Sequence, residues 1–388
     1  MLTAETFTLA LGVGSLALAA AGCLYALGAA AIARRFAGDE SPPPLVFPGV
    51  TILKPLHGAD PGLYDDLASF CDQDYRGPVQ VLFGVEDPTD AAIAIVDRLI
   101  AARPGRDLEL VMHAHAGGPN PKIANVVGLQ RHIRHDVVIL ADADIAVAPD
   151  YLSRIVAALD LPGVGAVTCL YRGAPRDGAW AQLASMGIDY HFLPNVLVGL
   201  QLGMARPCFG STIALRRETL AGIGGFEAFA GYIADDYAIG EAVRAAGMKV
   251  AIPSPVLAHS CAERSAVELL RHELRWVRTL RTVAPAGYAG MVITHPLPFA
   301  LLGAWLSGFG IPGMASVAAA IACRLVLQLQ VDHTLRVSMG RWWLGPARDL
   351  LASAMYVAGF FGDVVSWRGR RYKVRADGTL VPVVEPKA

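Results

Sequence analysis

Val137-Val138-Ile139-Leu140-Ala141-Asp142-Ala143-Asp144 runs five apolar residues straight into two carboxylates one residue apart. A short β-branched run without polar alternation predicts a strand buried on both faces, as in a parallel sheet covered by helices. In an open α/β sheet the ligand crevice lies beyond the carboxyl ends of such strands, and the two aspartates stand at that end. If the chain turns there, both carboxylates reach one cation or one ligand. A D-x-D pair of this kind suits a hard divalent metal bound to substrate phosphates. Solvated turn aspartates explain the same pair, because Asp is common where strands end. The motif alone leaves both open.

The surrounding chain is unusually apolar. Its 388 residues are 54% hydrophobic and 17% charged, with a mean hydropathy of +0.43, which predicts membrane segments rather than an ordinary soluble enzyme. A net charge of −1 gives no basic surface for a nucleic-acid partner. Six cysteines (Cys23, Cys71, Cys169, Cys208, Cys261, Cys323) show no C-x-x-C or His-rich spacing. Neither a disulfide framework nor a zinc site is indicated, and a reducing compartment follows.

From Phe7 to Ala33 no residue is charged, enough for one helix across about 30 Å of hydrocarbon. Arg34 and Arg35 follow, which by the positive-inside rule places the next domain in the cytoplasm. A cleaved signal peptide fits less well, since the basic residues lie on the wrong side and the run is too long. Ala21-Gly22-Cys23 faintly resembles a lipoprotein cleavage site but lacks a basic start. The segment 36–48 predicts a linker after this transmembrane helix of 1–35.

Strand-like and helix-like blocks then alternate. Val50–Lys54, Val79–Val85, Leu108–Met112 and the opening stretch predict strands; Pro61–Asp72, Ala91–Ala102 and a segment from Lys122 to Arg134 predict helices. That alternation indicates βαβ units and a parallel sheet over 49–264. No G-x-G-x-x-G or Walker loop is present, which disfavours dinucleotide dehydrogenases and P-loop NTPases. Further on, Gly163–Leu170 predicts a strand and Trp180–Leu193 an apolar helix. Asp235-Asp236 opens a helix that stops at Gly247; acids there serve as ordinary helix-start partners or as functional groups. Leu269–Val283 carries Arg271, His272, Arg275, Arg278 and Arg281 on an amphipathic helix, expected over 265–290. It lies on anionic headgroups, or Arg275 or a neighbour meets a diphosphate.

Beyond it, Met291–Ile311, Pro312–Val331 and Leu350–Trp367 are apolar and define a membrane region over 291–367, followed by a basic cytoplasmic tail over 368–388. An even number of crossings is needed if both flanks are cytoplasmic, so Met291–Ile311, with its prolines, is expected to be re-entrant or interfacial. Arg324, Asp349 and Asp363 are expected to pair inside the bundle, as a structural ion pair or with a function.

Taken in order, Asp87, Asp142/Asp144, Asp236 and His272-Glu273-Leu274-Arg275-Trp276 resemble the D, D-x-D, D, (Q/R)-x-x-R-W signature of family 2-like and ceramide glucosyltransferase-like (family 21) inverting glycosyltransferases. Val50-Thr51-Ile52-Leu53-Lys54-Pro55-Leu56-His57-Gly58 is similar to the opening strand of the ceramide glucosyltransferase group. Phe70–Tyr75, Ala166–Gly173, Arg271–Trp276 and Thr294–Pro298 resemble the bacterial hopanoid-biosynthesis-associated members. The resemblance implies a GT-A (Rossmann-like) catalytic domain between N- and C-terminal transmembrane helices, multi-pass in a bacterial inner membrane.

The resemblance also implies roles. Asp87 would bind the nucleobase side of a UDP-sugar, with Lys122 near the nucleotide. Asp142 and Asp144 would hold ribose and Mg2+ or Mn2+ on the diphosphate. Asp236 would be the general base, with Asp235 its competitor, and Arg275 and Trp276 would close over the diphosphate. His272 departs from the usual Gln or Arg, which leaves its role in doubt. One base and no second carboxylate nucleophile implies inversion. The expected reaction moves N-acetylglucosamine from its UDP donor to a polyhydroxylated hopanoid; ceramide or a sphingolipid-like lipid with UDP-glucose is the alternative. A processive polysaccharide synthase would need more spans than this chain offers, and a degenerate scaffold would have lost an Asp from the pattern.

Overall fold

The structure, a computed structural model, describes residues 4–36, 44–254, 256–337 and 342–383. Most of the linker expected over 36–48 and the end of the tail lie outside them. The chain divides into two units, one of residues 39–181, 207–264 and 363–388 and one of residues 1–38, 182–206 and 265–362.

The first unit is built on sheets. Its parallel half contains β1 (Val50–Pro55), β2 (Val79–Val85), β3 (Asp107–Met112) and β4 (Val137–Leu140). Short strands follow: β5 (Ile145–Ala146), β6 (Val164–Thr168), β7 (Tyr171–Pro175), β8 (Ile213–Arg216), β9 (Lys249–Ala251) and β10 (Leu257–Cys261). The main sheet runs β3-β2-β1-β4-β8-β6-β9. Every residue of β1 and β4 is buried, as the unbroken apolar run requires of a strand covered on both faces. Leu53, Leu82, Ile123, Val126, Val138, Leu140, Ile213 and Leu215 belong to one core. This arrangement, a parallel half extended by mixed strands, is that of the expected GT-A domain.

The parallel pairing expected from the alternation is found among β1 to β4, and beyond them the sheet is mixed. β8 lies antiparallel to both β4 and β6. Apolar runs reveal double-sided burial but not direction, and here the connections rather than the strands decide the mix. The strand expected over Gly163–Leu170 divides: β6 stays in the main sheet, and after Cys169-Leu170 the chain enters a second sheet of order β5-β10-β7. A third, antiparallel sheet comprises β11 (Val364–Trp367), β12 (Arg370–Val374) and β13 (Leu380–Pro382). The expected tail is therefore folded over these residues and is part of the sheet unit.

The second unit is helical. Ala4–Phe36 and Ile311–Leu335 are long and apolar enough to cross a membrane, and Pro285–Thr294 with Pro296–Leu306 form a pair bent by 56°, the shape of a broken or re-entrant segment. Small residues allow close helix approach: a Cβ on Gly22 would lie 2.9 Å from the Ile293 carbonyl oxygen. The apolar stretch expected over Leu350–Trp367 resolves into the helix Gly345–Gly359 and then β11. Fifteen residues reach only about 22 Å, short of a span. The helix expected over Trp180–Leu193 is interrupted by a π-turn at Ile188–Phe192.

That turn meets a buried ion pair. Arg324 Nη2 donates to Asp349 Oδ1 at 2.8 Å and to the Tyr190 carbonyl at 3.0 Å, while His191 Nε2 stands 3.0 Å from Asp349 Oδ1. Asp363, expected in the same cluster, pairs instead with Lys373 Nζ across β11 and β12 at 3.2 Å, because the chain has already left the helices there. Along Ala266–Val283, Ser265 caps the helix by accepting the Glu268 amide. Arg278 and Arg281 donate to the Phe361 and Gly362 carbonyls, each at 2.8 Å. Cations near terminal carbonyls are favourable.

Arg324→Ala removes the cation and leaves Asp349 buried and uncompensated, a loss of about 3–5 kcal/mol. The thermal unfolding midpoint of the detergent-solubilised protein is expected to fall accordingly, and the paired change Arg324→Met with Asp349→Leu is expected to recover much of it. An unchanged midpoint in Arg324→Ala would contradict this account.

Candidate active site

β1, β2 and β4 are parallel, so their carboxyl ends share one edge of the sheet. At that edge the chain leaves β4 through Asp142. Its amide donates to the Gly210 carbonyl at 3.1 Å, and its carbonyl accepts from Lys54 Nζ. Two residues on, the Asp144 carbonyl accepts the Ser260 amide at 2.7 Å. These bonds bend the strand end without burying its carboxylates: the two side chains keep 36% and 43% of their surface accessible.

Lys54 lies fully buried in β1 with its Nζ 3.6 Å from the centre of the Phe70 ring. Burial pulls its pKa down to about 7, against the opposing pull of the Asp144 and Asp142 carboxylates. A buried ammonium needs such partners; here they are the backbone of the D-x-D turn and an aromatic face.

The carboxylates have different neighbours. Asp142 Oδ1 is 2.7 Å from Lys122 Nζ, which also stands 3.3 Å from Asp235 Oδ2. Lys122 begins the helix Pro121–Gln130, whose N-cap Asn120 accepts the Lys122 and Ile123 amides. The Asn120 amide group turns to the other side and donates to Asp235 Oδ1 at 3.1 Å. Burial alone would lower the Lys122 pKa, but the Asp142 and Asp235 carboxylates overrule it and hold the ammonium charged well above its ordinary range.

Asp235 and Asp236 open the helix Asp235–Ala245 and differ in environment. Asp235 is 4% exposed and engaged by Asn120 and Lys122. Asp236 is half-buried; it accepts the Gly210 amide at 2.9 Å and the Tyr237 amide at 2.7 Å. Burial and the neighbouring Asp235 charge push its pKa up to about 6, where a carboxylate becomes a competent base near neutral pH. Gly210 admits this arrangement: a Cβ there would stand 2.6 Å from Asp142 Oδ2 and 2.8 Å from Lys122 Nζ.

Asp144 faces His259 of β10, whose Nε2 is 3.4 Å from Asp144 Oδ2. β10 brings it there by pairing with β5, His259 opposite Ile145. Among the described residues no group of three or more His, Cys, Asp or Glu side chains is placed to hold a metal ion. A hard divalent cation on Asp144, whose side chain is 43% accessible, would therefore take most of its oxygen ligands from phosphate and water.

Asp87 lies two residues beyond β2 at the same edge. It is exposed and accepts the Thr89 amide at 2.8 Å and hydroxyl at 2.7 Å, and these hydrogen bonds hold its pKa below the usual range. The structure thus collects Lys122, Asp142, Asp144 and Asp236 around one strand end, with Asp87 on the same rim. His272, Arg275 and Trp276 belong to the helical unit, on Ala266–Val283, where the His272 and Trp276 rings meet edge to face at 4.6 Å. Sequence reasoning missed Lys54, Asn120, Gly210 and His259. Only the Asn120-Pro121 pair, an N-cap followed by proline, carried a local signal.

Known proteins resemble this chain along most of its length. The glycosyl transferase family 21 model matches residues 14–380. Ceramide glucosyltransferase 1 of Caenorhabditis elegans is 24% identical over 351 residues, covering 87% of this chain and 74% of that protein. The ceramide glucosyltransferase of Pyricularia oryzae is 22% identical over 464 residues, covering 93% and 92%. Among solved structures, a mannosyltransferase from Pyrobaculum calidifontis in complex with GDP-Man and Mn2+ is similar with a TM-score of 0.49 and 22% identity, covering 89% of this chain and 99% of that one. With nearly the whole chain matched, this protein is a glycosyltransferase that belongs to family 21.

Proposed function

We propose that the protein transfers a sugar, with inversion, from a UDP-sugar to a lipid hydroxyl at the cytoplasmic face of a bacterial inner membrane. The observation that carries this is the division of labour between Asp235 and Asp236. Asp235 is buried and held by Asn120 and Lys122. Asp236, half-buried and held by two backbone amides, has a raised pKa, the property required of a general base for an acceptor hydroxyl. With a single base and direct displacement, the product anomer is opposite to the donor's.

Asp142 and Lys122 hold the nucleotide side of the donor, and Asp87 the nucleobase rim. Asp144, with His259 beside it, holds Mg2+ or Mn2+, which when bound neutralises charge on the departing diphosphate. Lys122 contributes a fixed positive charge to the same end, stabilisation that is already oriented before reaction. The family resemblance supports a role in donor binding for His272, Arg275 and Trp276 of the helical unit.

For donor and acceptor, the resemblance of Phe70–Tyr75 and Arg271–Trp276 to hopanoid-associated members supports UDP-N-acetylglucosamine and a polyhydroxylated hopanoid. The names of the relatives in Caenorhabditis elegans and Pyricularia oryzae support a second reading, UDP-glucose and ceramide. Purified protein offered both donors with each lipid, and products read by mass spectrometry, is expected to give a glycosylated lipid from one pairing. Donor hydrolysis without lipid product from either would defeat the lipid-acceptor reading.

Asp236→Asn is expected to lower kcat roughly a hundred- to ten-thousand-fold while UDP binding survives. The base works as a carboxylate, so in the unaltered enzyme kcat/KM falls tenfold per pH unit below about 6 and levels off above it. A profile flat through pH 5, or loss of UDP binding in Asp236→Asn, would reassign this residue. Asp144→Ala is expected to abolish the dependence of UDP affinity on added Mn2+; a metal response equal to that of the unaltered protein would count against Asp144 as ligand.

A further inference from the structure

The C-terminal sheet ends at the active site. β11 and β12 pair from Val364 opposite Lys373 to Trp367 opposite Arg370, so the connecting loop is Arg368-Gly369 alone. Both loop residues are left-handed, with φ of +47° and +73°. Two-residue hairpins of this geometry favour Asn and Gly, because an L side chain in this region crowds the following carbonyl. An arginine kept at such a position points to a use for its side chain.

That side chain lies against the start of the helix that carries Lys122. Arg368 Nη1 donates to the Pro121 carbonyl at 3.2 Å, and the charges of Glu86, Asp142, Asp90 and Asp235 act on it. Each of those carboxylates has a nearer partner. Glu86 meets His115 at 2.9 Å, Asp90 accepts the Gly58 and Ala92 amides, Asp142 meets Lys122, and Asp235 meets Asn120. Of the five N–H groups of a guanidinium, one is used among the described residues. Next to the turn, Gly369 and Arg370 line a cleft of about 390 Å³ together with His115, Gly118, Pro121 and Tyr372.

The sheet is also fixed in place. The Ile233 amide donates to the Gly378 carbonyl at 3.0 Å and the Leu380 amide to the Gly231 carbonyl at 2.8 Å. Residues 231–234 lead directly into Asp235-Asp236, so one set of bonds anchors both the hairpin and the start of the carboxylate helix. Asp142, Asp144, Asp235 and Asp236 otherwise crowd this edge with negative charge, which a further cation beside Lys122 and the metal would offset for the donor's diphosphate.

We propose that Arg368, presented by the turn between β11 and β12, binds the diphosphate of the nucleotide-sugar donor. Its planar fork suits paired phosphate oxygens, and its anchored turn supplies the preorganisation that such a contact requires. The inference rests on the nucleoside-diphosphate donor proposed above.

The test uses the full chain in detergent with Mn2+, measuring affinity for UDP and, by competition, for uridine. Arg368→Asn suits the left-handed turn, so its thermal midpoint is expected to match or exceed that of the unaltered protein. Its UDP affinity is expected to fall tenfold or more while uridine affinity holds, and Arg368→Lys is expected to restore part of the loss. Unchanged UDP affinity in Arg368→Asn, or equal losses for UDP and uridine, would overturn the assignment. If Asp144→Ala weakens UDP binding and Arg368→Asn does not, only the arginine's role fails. If the unaltered protein ignores UDP, the donor reading fails with it.

Discussion

One buried ammonium organises the sheet unit's reactive edge. Lys122 sits between Asp142 and Asp235, and so joins the turn after β4, the helix Pro121–Gln130 and the helix Asp235–Ala245. Charges removed from water must be paired; Asp235 is also met by the Asn120 amide group, and the Asp142 side chain keeps 36% of its surface accessible. Asn120 links two of the three segments: its carbonyl oxygen caps one helix and its amide nitrogen fixes the carboxylate that opens the other. Because Asp235 is occupied in this way, Asp236 is left half-buried with backbone donors, and its proton affinity rises through burial and the neighbouring Asp235 charge. The environment of Asp236 thus follows from how Asp235 is held.

A second lysine supports the same edge from beneath. Lys54 places its ammonium under the carbonyl of Asp142 and over Phe70, inside a strand whose every other residue is also buried. The turn is therefore braced by charge from both faces, through its backbone by Lys54 and through its side chain by Lys122. Gly210 completes the fit by offering an amide to Asp236 and a carbonyl to Asp142 in space that a methyl group would occupy.

The helical unit solves its polar groups separately. Arg324 and Asp349 satisfy each other with His191 and the Tyr190 carbonyl, and Arg348 meets Glu273. On the helix Ala266–Val283, Arg278 and Arg281 are used to hold the carbonyls of Phe361 and Gly362. Two arginines of that helix thus have structural tasks within the unit, and the His272 and Trp276 rings meet each other.

Sequence alone determined the buried strands, several helix starts, the long apolar helices and the acidic residues gathered at the sheet edge, because each is written in local periodicity, composition or order along the chain. It could not orient β8 or place β10, since the apolar content of a strand carries no direction and Leu257-Ala258-His259-Ser260-Cys261 is too short and mixed to stand out. The C-terminal sheet was legible in principle: Arg371, Lys373 and Arg375 alternate with Tyr372 and Val374, and Asp377-Gly378 marks a turn. Its positive charges drew attention to membrane topology instead. Only tertiary structure decided which aspartate is buried and which half-buried, that His259 stands beside Asp144, and that Arg368 lies against the helix of Lys122. Those outcomes depend on through-space distances between segments up to about 250 residues apart, where charge and burial act without regard to sequence separation.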